Sequence, residues 1–252
     1  MTTPRRRLAL TLIAAGLAAS AGLAHAWPWG GERVDGSGQI TAEQRDPGAF
    51  DGVSLAGDFK VTVRQAGANH VEIKTDANLL PYIETRIVDN GHGRTLEIGT
   101  KRGYNLHATG TPQVTLDMPA LRAISIAGSG DVKVGAIKGG EVSASISGSG
   151  DLTFEQLDAD ALKLSISGSG DVKAAGHARD FKVSVSGSGD VTAPDFAADD
   201  VKISVAGSGD ALVRASKTLS ISVAGQGDVS YHGAPVVTSS IAGAGRVTKL
   251  DN

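Results

Sequence analysis

Six aspartates, Asp131, Asp151, Asp171, Asp190, Asp210 and Asp228, each close a Gly-x-Gly-Asp tetrapeptide. Carboxylates repeated at a fixed interval can do one of two things. They can form a ladder of oxygen ligands for calcium or another hard cation, which takes carboxylate and carbonyl oxygens. They can instead accept backbone N–H bonds, each in its own turn, as aspartate often does. Carboxylates stacked at strand spacing repel by only about 1 kcal/mol in water, a cost that turn hydrogen bonds can offset. The tetrapeptide lacks the further acidic and glycine positions of the calcium-binding nonapeptide. Turn formation is therefore the expectation and calcium its rival; no cofactor is otherwise implied.

A second constellation is Ser125, Ser145, Ser165, Ser184, Ser204, Ser222 and Ser240, three residues before the first glycine of each motif. If the repeats stack, these serines form a flat hydroxyl column suited to a repeating ligand such as a polysaccharide, or to a partner protein's surface. Small hydroxyl side chains would also simply keep a tightly wound outer face wet. Lys163, Lys182 and Lys202 should run beside the column as a basic strip, which reads as solubility and aggregation control.

No pattern points to catalysis. The acids fall in a line rather than converging on a cleft, as acid–base chemistry on a polysaccharide requires. His70, His92, His107, His177 and His232 include no His-x-x-x-His pair. The serines lack the strand–turn–helix setting of a nucleophile elbow. A polysaccharide-degrading enzyme stays as an alternative to a non-enzymatic binding protein.

The elements that position these residues follow from the repeat. Gly-Ser-Gly-Asp begins at Gly128, Gly148, Gly168, Gly187 and Gly207, returning as Gly-Gln-Gly-Asp at Gly225 and Gly-Ala-Gly-Arg at Gly243, at spacings of 20, 20, 19, 20, 18 and 18 residues. Alternating runs such as Leu162-Lys163-Leu164-Ser165-Ile166-Ser167 precede each motif, the period-two signal of a half-buried strand. Each Gly-x-Gly is a corner that needs positive φ or room for a close backbone. So short a repeat cannot bury an apolar face alone, and its coils must stack. The stack predicts an all-β parallel β-helix, or solenoid. One inward ladder holds Leu164, Val183, Ile203 and Ile221, and a second holds Ile146, Ile166, Val185, Val205, Val223 and Ile241.

The region 27–119 is less regular, with strand-like pieces at 53–55, 59–63, 71–73, 96–98 and 114–118. Gly36-Ser37-Gly38-Gln39 and Ala56-Gly57-Asp58 look like worn corners, and Asn78–Tyr82 like a break with one helical turn. We read 27–119 as irregular β-coils with a cap, continuous with the regular repeats of 120–252, against a separate small β domain.

Phe50-Asp51-Gly52-Val53, Gly57-Asp58-Phe59-Lys60-Val61-Thr62-Val63, Asp76-Ala77-Asn78-Leu79-Leu80 and the Gly-Ser-Gly-Asp ladder occur in an order with a known counterpart. The chain thereby resembles the putative auto-transporter adhesin, head GIN-domain family. The resemblance implies a right-handed parallel β-helix in a bacterial envelope or secreted protein, in keeping with the handedness of parallel crossovers. It brings no catalytic residues.

Residues 1–26 read as a secretory signal: Arg5-Arg6-Arg7, an apolar stretch to Leu23, and the small-x-small site Ala24-His25-Ala26. Cleavage near Ala26 would deliver the chain to the periplasm or the extracellular space with no stable membrane span. Loss of the three arginines takes the formal charge from −3 to −6, which argues against nucleic acid as a partner. With no cysteine, the fold must rest on burial and backbone ladders. Trp27-Pro28-Trp29 is a candidate cap on the first coil. At the other end Arg246 replaces the seventh aspartate and should sit beside Asp228, neutralising the end of the column. The last coil should leave an open edge, and weak end-to-end self-association is expected there.

Overall fold

A computed structural model describes residues 31–89 and 93–251. The signal, its cleavage site, Trp27-Pro28-Trp29 and His92 lie outside the described residues.

The chain is nearly all strand and winds into a β-solenoid of about 6 turns. Five long strands, Asp131–Gly148, Leu152–Gly168, Val172–Gly187, Val191–Gly207 and Ala211–Gly225, each make most of one coil. Successive coils pair in parallel. Within the first of these coils Val132, Val134, Ile137, Val142, Ala144 and Ile146 are buried. The alternation breaks between Val134 and Ile137 and again before Val142, where the strand bends round the core. The inward ladders expected from the sequence are buried from Ile146 and Leu164 to Ile221 and Val223; Ile241, in the last coil, is 40% exposed.

Register is held at the glycine corner and released on the far side of the coil. Gly128, Gly148, Gly168, Gly187, Gly207, Gly225 and Gly243 stack in one unbroken column. The shifts that accommodate coils of unequal length fall between Phe154 and Leu157, between Lys173 and Ala175, and between Thr192 and Ala197. There the core compensates by size: Phe154 stacks on Ala174, and Gly176 lies between Leu157 and Phe196. A Cβ on Gly176 would overlap the Leu157 backbone.

The corner explains both glycines of the motif. The first has φ between +120° and +144° at all seven levels, a conformation that L side chains rarely adopt. The second is buried from Gly130 to Gly227 and half-buried at Gly245, and from Gly150 onward an added Cβ would overlap the glycine carbonyl one coil below. Glycine is required once for its dihedral and once for its missing side chain.

The first half departs from a simple stack. Gly52–Ala56 and Lys60–Gln65 form a coil whose corner is Gly57-Asp58, directly beneath Ala123–Gly128 and Asp131–Val134. Below it lie Arg94–Thr100 and Gln113–Met118, which come later in the chain. The coil 52–65 is thus inserted between later segments. The end of the stack is closed by antiparallel strands, Ile83–Asp89 on Arg94–Thr100, His70–Asp76 on Gln113–Met118, and Ile40–Arg45 on His70–Asp76. Pairing is antiparallel here because hairpins can reverse direction where no repeat dictates a crossover. The break at Asn78–Tyr82 contains a 3-10 turn, Leu80–Tyr82. One apolar cluster extends from Phe50 to Val229.

Gly36-Ser37-Gly38 is not a stack corner; it wraps a buried carboxylate. Asp76, with no exposed surface, accepts from the Gly38 N–H at 2.7 Å, the Thr109 N–H at 2.9 Å and the Thr109 hydroxyl at 2.8 Å. A Cβ on Gly36 would meet this carboxylate. The Thr109 backbone and hydroxyl donors, then Gly38, hold the Asp76 carboxyl below the usual carboxylate range against the opposing effect of burial. A depressed folded value means that the stabilisation is present above the unfolded value, near 4, and is lost as pH falls through the folded one. Stability should therefore drop below about pH 4. Urea midpoints compared at pH 7 and pH 3 should show a smaller difference for Asp76→Asn than for the parent; equal differences would refute the role assigned to Asp76.

Candidate functional site: the corner ladder and the serine wall

From Asp151 onward the aspartates form a ladder in which each carboxylate reaches the next coil rather than its own turn. Asp151 Oδ1 accepts the Asp171 N–H at 3.1 Å, Asp171 that of Asp190 at 2.9 Å, Asp190 that of Asp210 at 2.7 Å, and Asp210 that of Asp228 at 2.7 Å. The turn assignment is corrected accordingly: a side chain one residue past the glycine corner projects along the solenoid axis, where the free N–H belongs to the neighbouring coil. Each of these five carboxylates, Asp151 to Asp228, thus stitches two coils together. Among the described residues no three His, Asp or Glu side chains converge as a metal would require. Arg246 meets Asp228 through its backbone, whose N–H donates to Oδ1 at 2.8 Å, and not through its guanidinium.

The serine column forms as the spacing requires. Ser125, Ser145, Ser165, Ser184, Ser204, Ser222 and Ser240 are register partners across successive strands. Ser54 extends it by one rung and Glu97 lies beyond that. Ser54 could have been found from Val53-Ser54-Leu55-Ala56-Gly57, which repeats Ile124-Ser125-Ile126-Ala127-Gly128. Neighbouring hydroxyls touch where Ser145 Oγ donates to Ser125 Oγ at 3.2 Å. The wall is grooved rather than flat at its lower half. A groove of about 660 Å³ runs over Ser125, Ser145, Ser165 and Ser184, between Glu97 and Thr95 at one end and Lys163 and Lys182 at the other.

Beside the serines, Lys163, Lys182 and Lys202 also stack in register. Lys163 pairs with Glu141 at 2.6 Å, whereas no carboxylate lies within ion-pair distance of Lys182 or Lys202 among the described residues. The next column outward carries Glu141, Ala161, Asp180 and Asp200. The wall thus presents parallel stripes of acid, lysine, serine and small side chains. The histidines among the described residues do not assemble: His177 pairs with Asp158 at 3.1 Å, and His232 lies on another coil with its Nδ1 buried and unbonded.

The fold is a parallel β-solenoid with a small-residue outer wall. The chain belongs to the family described as "Putative auto-transporter adhesin, head GIN domain", which matches residues 49–235. No curated protein matches the sequence. Among solved structures it is similar to a putative adhesin from Bacteroides fragilis, at 23% identity and a TM-score of 0.81, over 86% of this chain and all of that one. A putative adhesin from Parabacteroides distasonis is similar at 24% identity and TM-score 0.76 over 87% of this chain and all of that one. A putative lipid-binding protein from Parabacteroides distasonis is similar at 24% identity and TM-score 0.73, with the same coverage. These likenesses establish the fold. No helix among the described residues is long and apolar enough to cross a membrane.

Proposed function

We propose that the protein is exported by its N-terminal signal and acts without catalysis, using the serine wall to hold a polysaccharide or protein surface of the cell envelope. The observation that carries this reading is the unbroken hydroxyl column, Ser54 to Ser240, lying in a groove at its lower half. A surface built of one side-chain type at strand spacing offers identical contacts at about 4.8 Å intervals. That suits a repeating or extended partner, because each rung adds a weak contact and the sum becomes useful. Membership of an adhesin-like family agrees with contact as the role. The stitched aspartates serve the wall by fixing the distance between coils.

The test is binding of the purified chain to isolated bacterial envelopes, to alginate and to dextran. Ser165→Trp with Ser184→Trp fills the groove from outward-facing positions and should reduce binding at least tenfold while leaving the melting temperature within about 2 °C. Unchanged binding in this variant would remove the wall from consideration. Release of reducing or unsaturated sugars from alginate would place the protein among the enzymes instead.

A further inference from the structure

The two ends of the solenoid are built differently. At the first end the edge strands are Ile83–Asp89 and Ile40–Arg45, which carry Glu84, Arg86, Asp89, Glu43 and Arg45. Charges of this kind guard a sheet edge against pairing with another chain. At the other end, among the described residues, Val236–Gly243 pairs only with Thr218–Gly225, and Val247–Lys249 only with Val229–Tyr231. The strand Val236–Gly243 reads Val-Val-Thr-Ser-Ser-Ile-Ala-Gly: it has no charge and no proline, and every residue in it is exposed. Val236, Val237 and Ile241 are 74%, 37% and 40% exposed. Val237 and Ile241 stand on the buried columns of Leu219 and Val223, so what they show to solvent is the cross-section of the core. This strand also lies past residue 235, where the family match ends.

The strand is its own complement. Side chains directly opposite one another in an antiparallel pair share a face. With two copies paired antiparallel about Ser239, Val237 lies opposite Ile241 of the second copy on the core side, twice. Thr238 lies opposite Ser240 on the outer side, and Ser239 opposite its own equivalent. Ser239 occupies a position that is otherwise aliphatic, in the column of Leu164, Val183, Ile203 and Ile221. At the two-fold its hydroxyl meets another hydroxyl, and one can donate while the other accepts. Head-to-tail stacking would instead set this apolar edge against Glu84 and Arg86.

We propose that the protein forms a tail-to-tail dimer through Val236–Gly243, in which the serine walls of two copies join into one continuous sheet. The contact is isologous and closes at two copies, so it gives dimers and not fibres. Across the seam each serine column continues into Thr238 and Ser220 of the second copy and then meets its lysine column at Lys202.

Sedimentation of the purified chain over a hundredfold range of concentration should show monomer giving way to dimer and to nothing larger. Val237→Lys with Ile241→Lys should remain monomeric throughout while keeping the parent's β-sheet circular dichroism, because both residues belong to an exposed coil. Ser239→Cys provides a second measurement, since the chain has no cysteine of its own. Opposed Cα atoms in an antiparallel pair lie about 4.5–5.5 Å apart, within the span of a disulfide. Mild oxidation should cross-link most Ser239→Cys molecules as covalent dimers and leave Ser149→Cys, at an exposed corner, largely uncross-linked. A parent that stays monomeric, a species that grows beyond dimer, or a dimer that survives the lysine pair without cross-linking at 239 would each overturn the proposal.

Discussion

Replacing Gly187 with alanine is expected to destabilise the protein by about 3 kcal/mol or more, against less than about 0.5 kcal/mol for Ser188→Ala beside it. Two costs add. Gly187 has φ +133°, where a side chain alone costs about 1–2 kcal/mol. A Cβ there would also overlap the carbonyl oxygen of Gly168 in the coil below. The obstruction is backbone, held in register by the glycine column, and cannot turn aside as a flexible side chain would. Ser188 is exposed, and its N–H bonds the Gly168 carbonyl through the backbone, which alanine retains. Urea unfolding of both variants reads the contrast directly. A Gly187→Ala protein within 1 kcal/mol of the parent would mean that the coils can part at the corner without penalty, and that the glycines record sequence history and not packing.

The same corner shows why the second half of the fold was legible. A repeat reports its own geometry: seven motifs at spacings of 18 to 20 residues require a stack, and the stack assigns the serine, lysine and aspartate columns without further information. The position of Lys163, Lys182 and Lys202 in one line follows from counting. The direction of the aspartate bonds does not, because spacing fixes where a side chain starts and not which coil's N–H it finds. In the first half the strands at 53–55, 59–63, 71–73, 96–98 and 114–118 were visible by alternation, and each lies within or against a strand of the structure. Their neighbours were not. Nothing in the alternation of Ile83–Asp89 or Ile40–Arg45 distinguishes an antiparallel closing strand from another coil. The insertion of 52–65 between segments that follow it is a matter of long-range pairing, invisible to local pattern. Asp76 could have been suspected only as an acid beside an apolar strand; its partners Gly38 and Thr109 lie more than thirty residues away on either side.

Phe181→Ala is expected to have the second large effect, about 3–5 kcal/mol. A solenoid of coils this short has a thin core, and in it Phe154, Phe181 and Phe196 are the largest wholly buried side chains. Phe181 packs on Phe196 of the next coil with ring centres 5.0 Å apart and planes tilted by 60°. Gly176, across from Phe196, has no side chain to move into the space that truncation leaves. The cavity therefore stays open, and its cost should sit near the upper part of the range for an aromatic truncation. Phe181→Leu, which keeps most of the volume, should lose only about 1 kcal/mol. The loss should also be local, since each coil of a solenoid contacts only its neighbours. Amide exchange should accelerate in 172–187 and 191–207, while the strand Gly52–Ala56 keeps its protection. Lys182 and Ser184 follow Phe181 on the same strand and face the groove. Binding to envelopes should accordingly weaken in Phe181→Ala and recover in Phe181→Leu, linking the wall's contact chemistry to the ring that holds it in place. Uniform exchange across the whole chain would show instead that the solenoid opens as one cooperative unit, and the ring would then support every rung of the column equally.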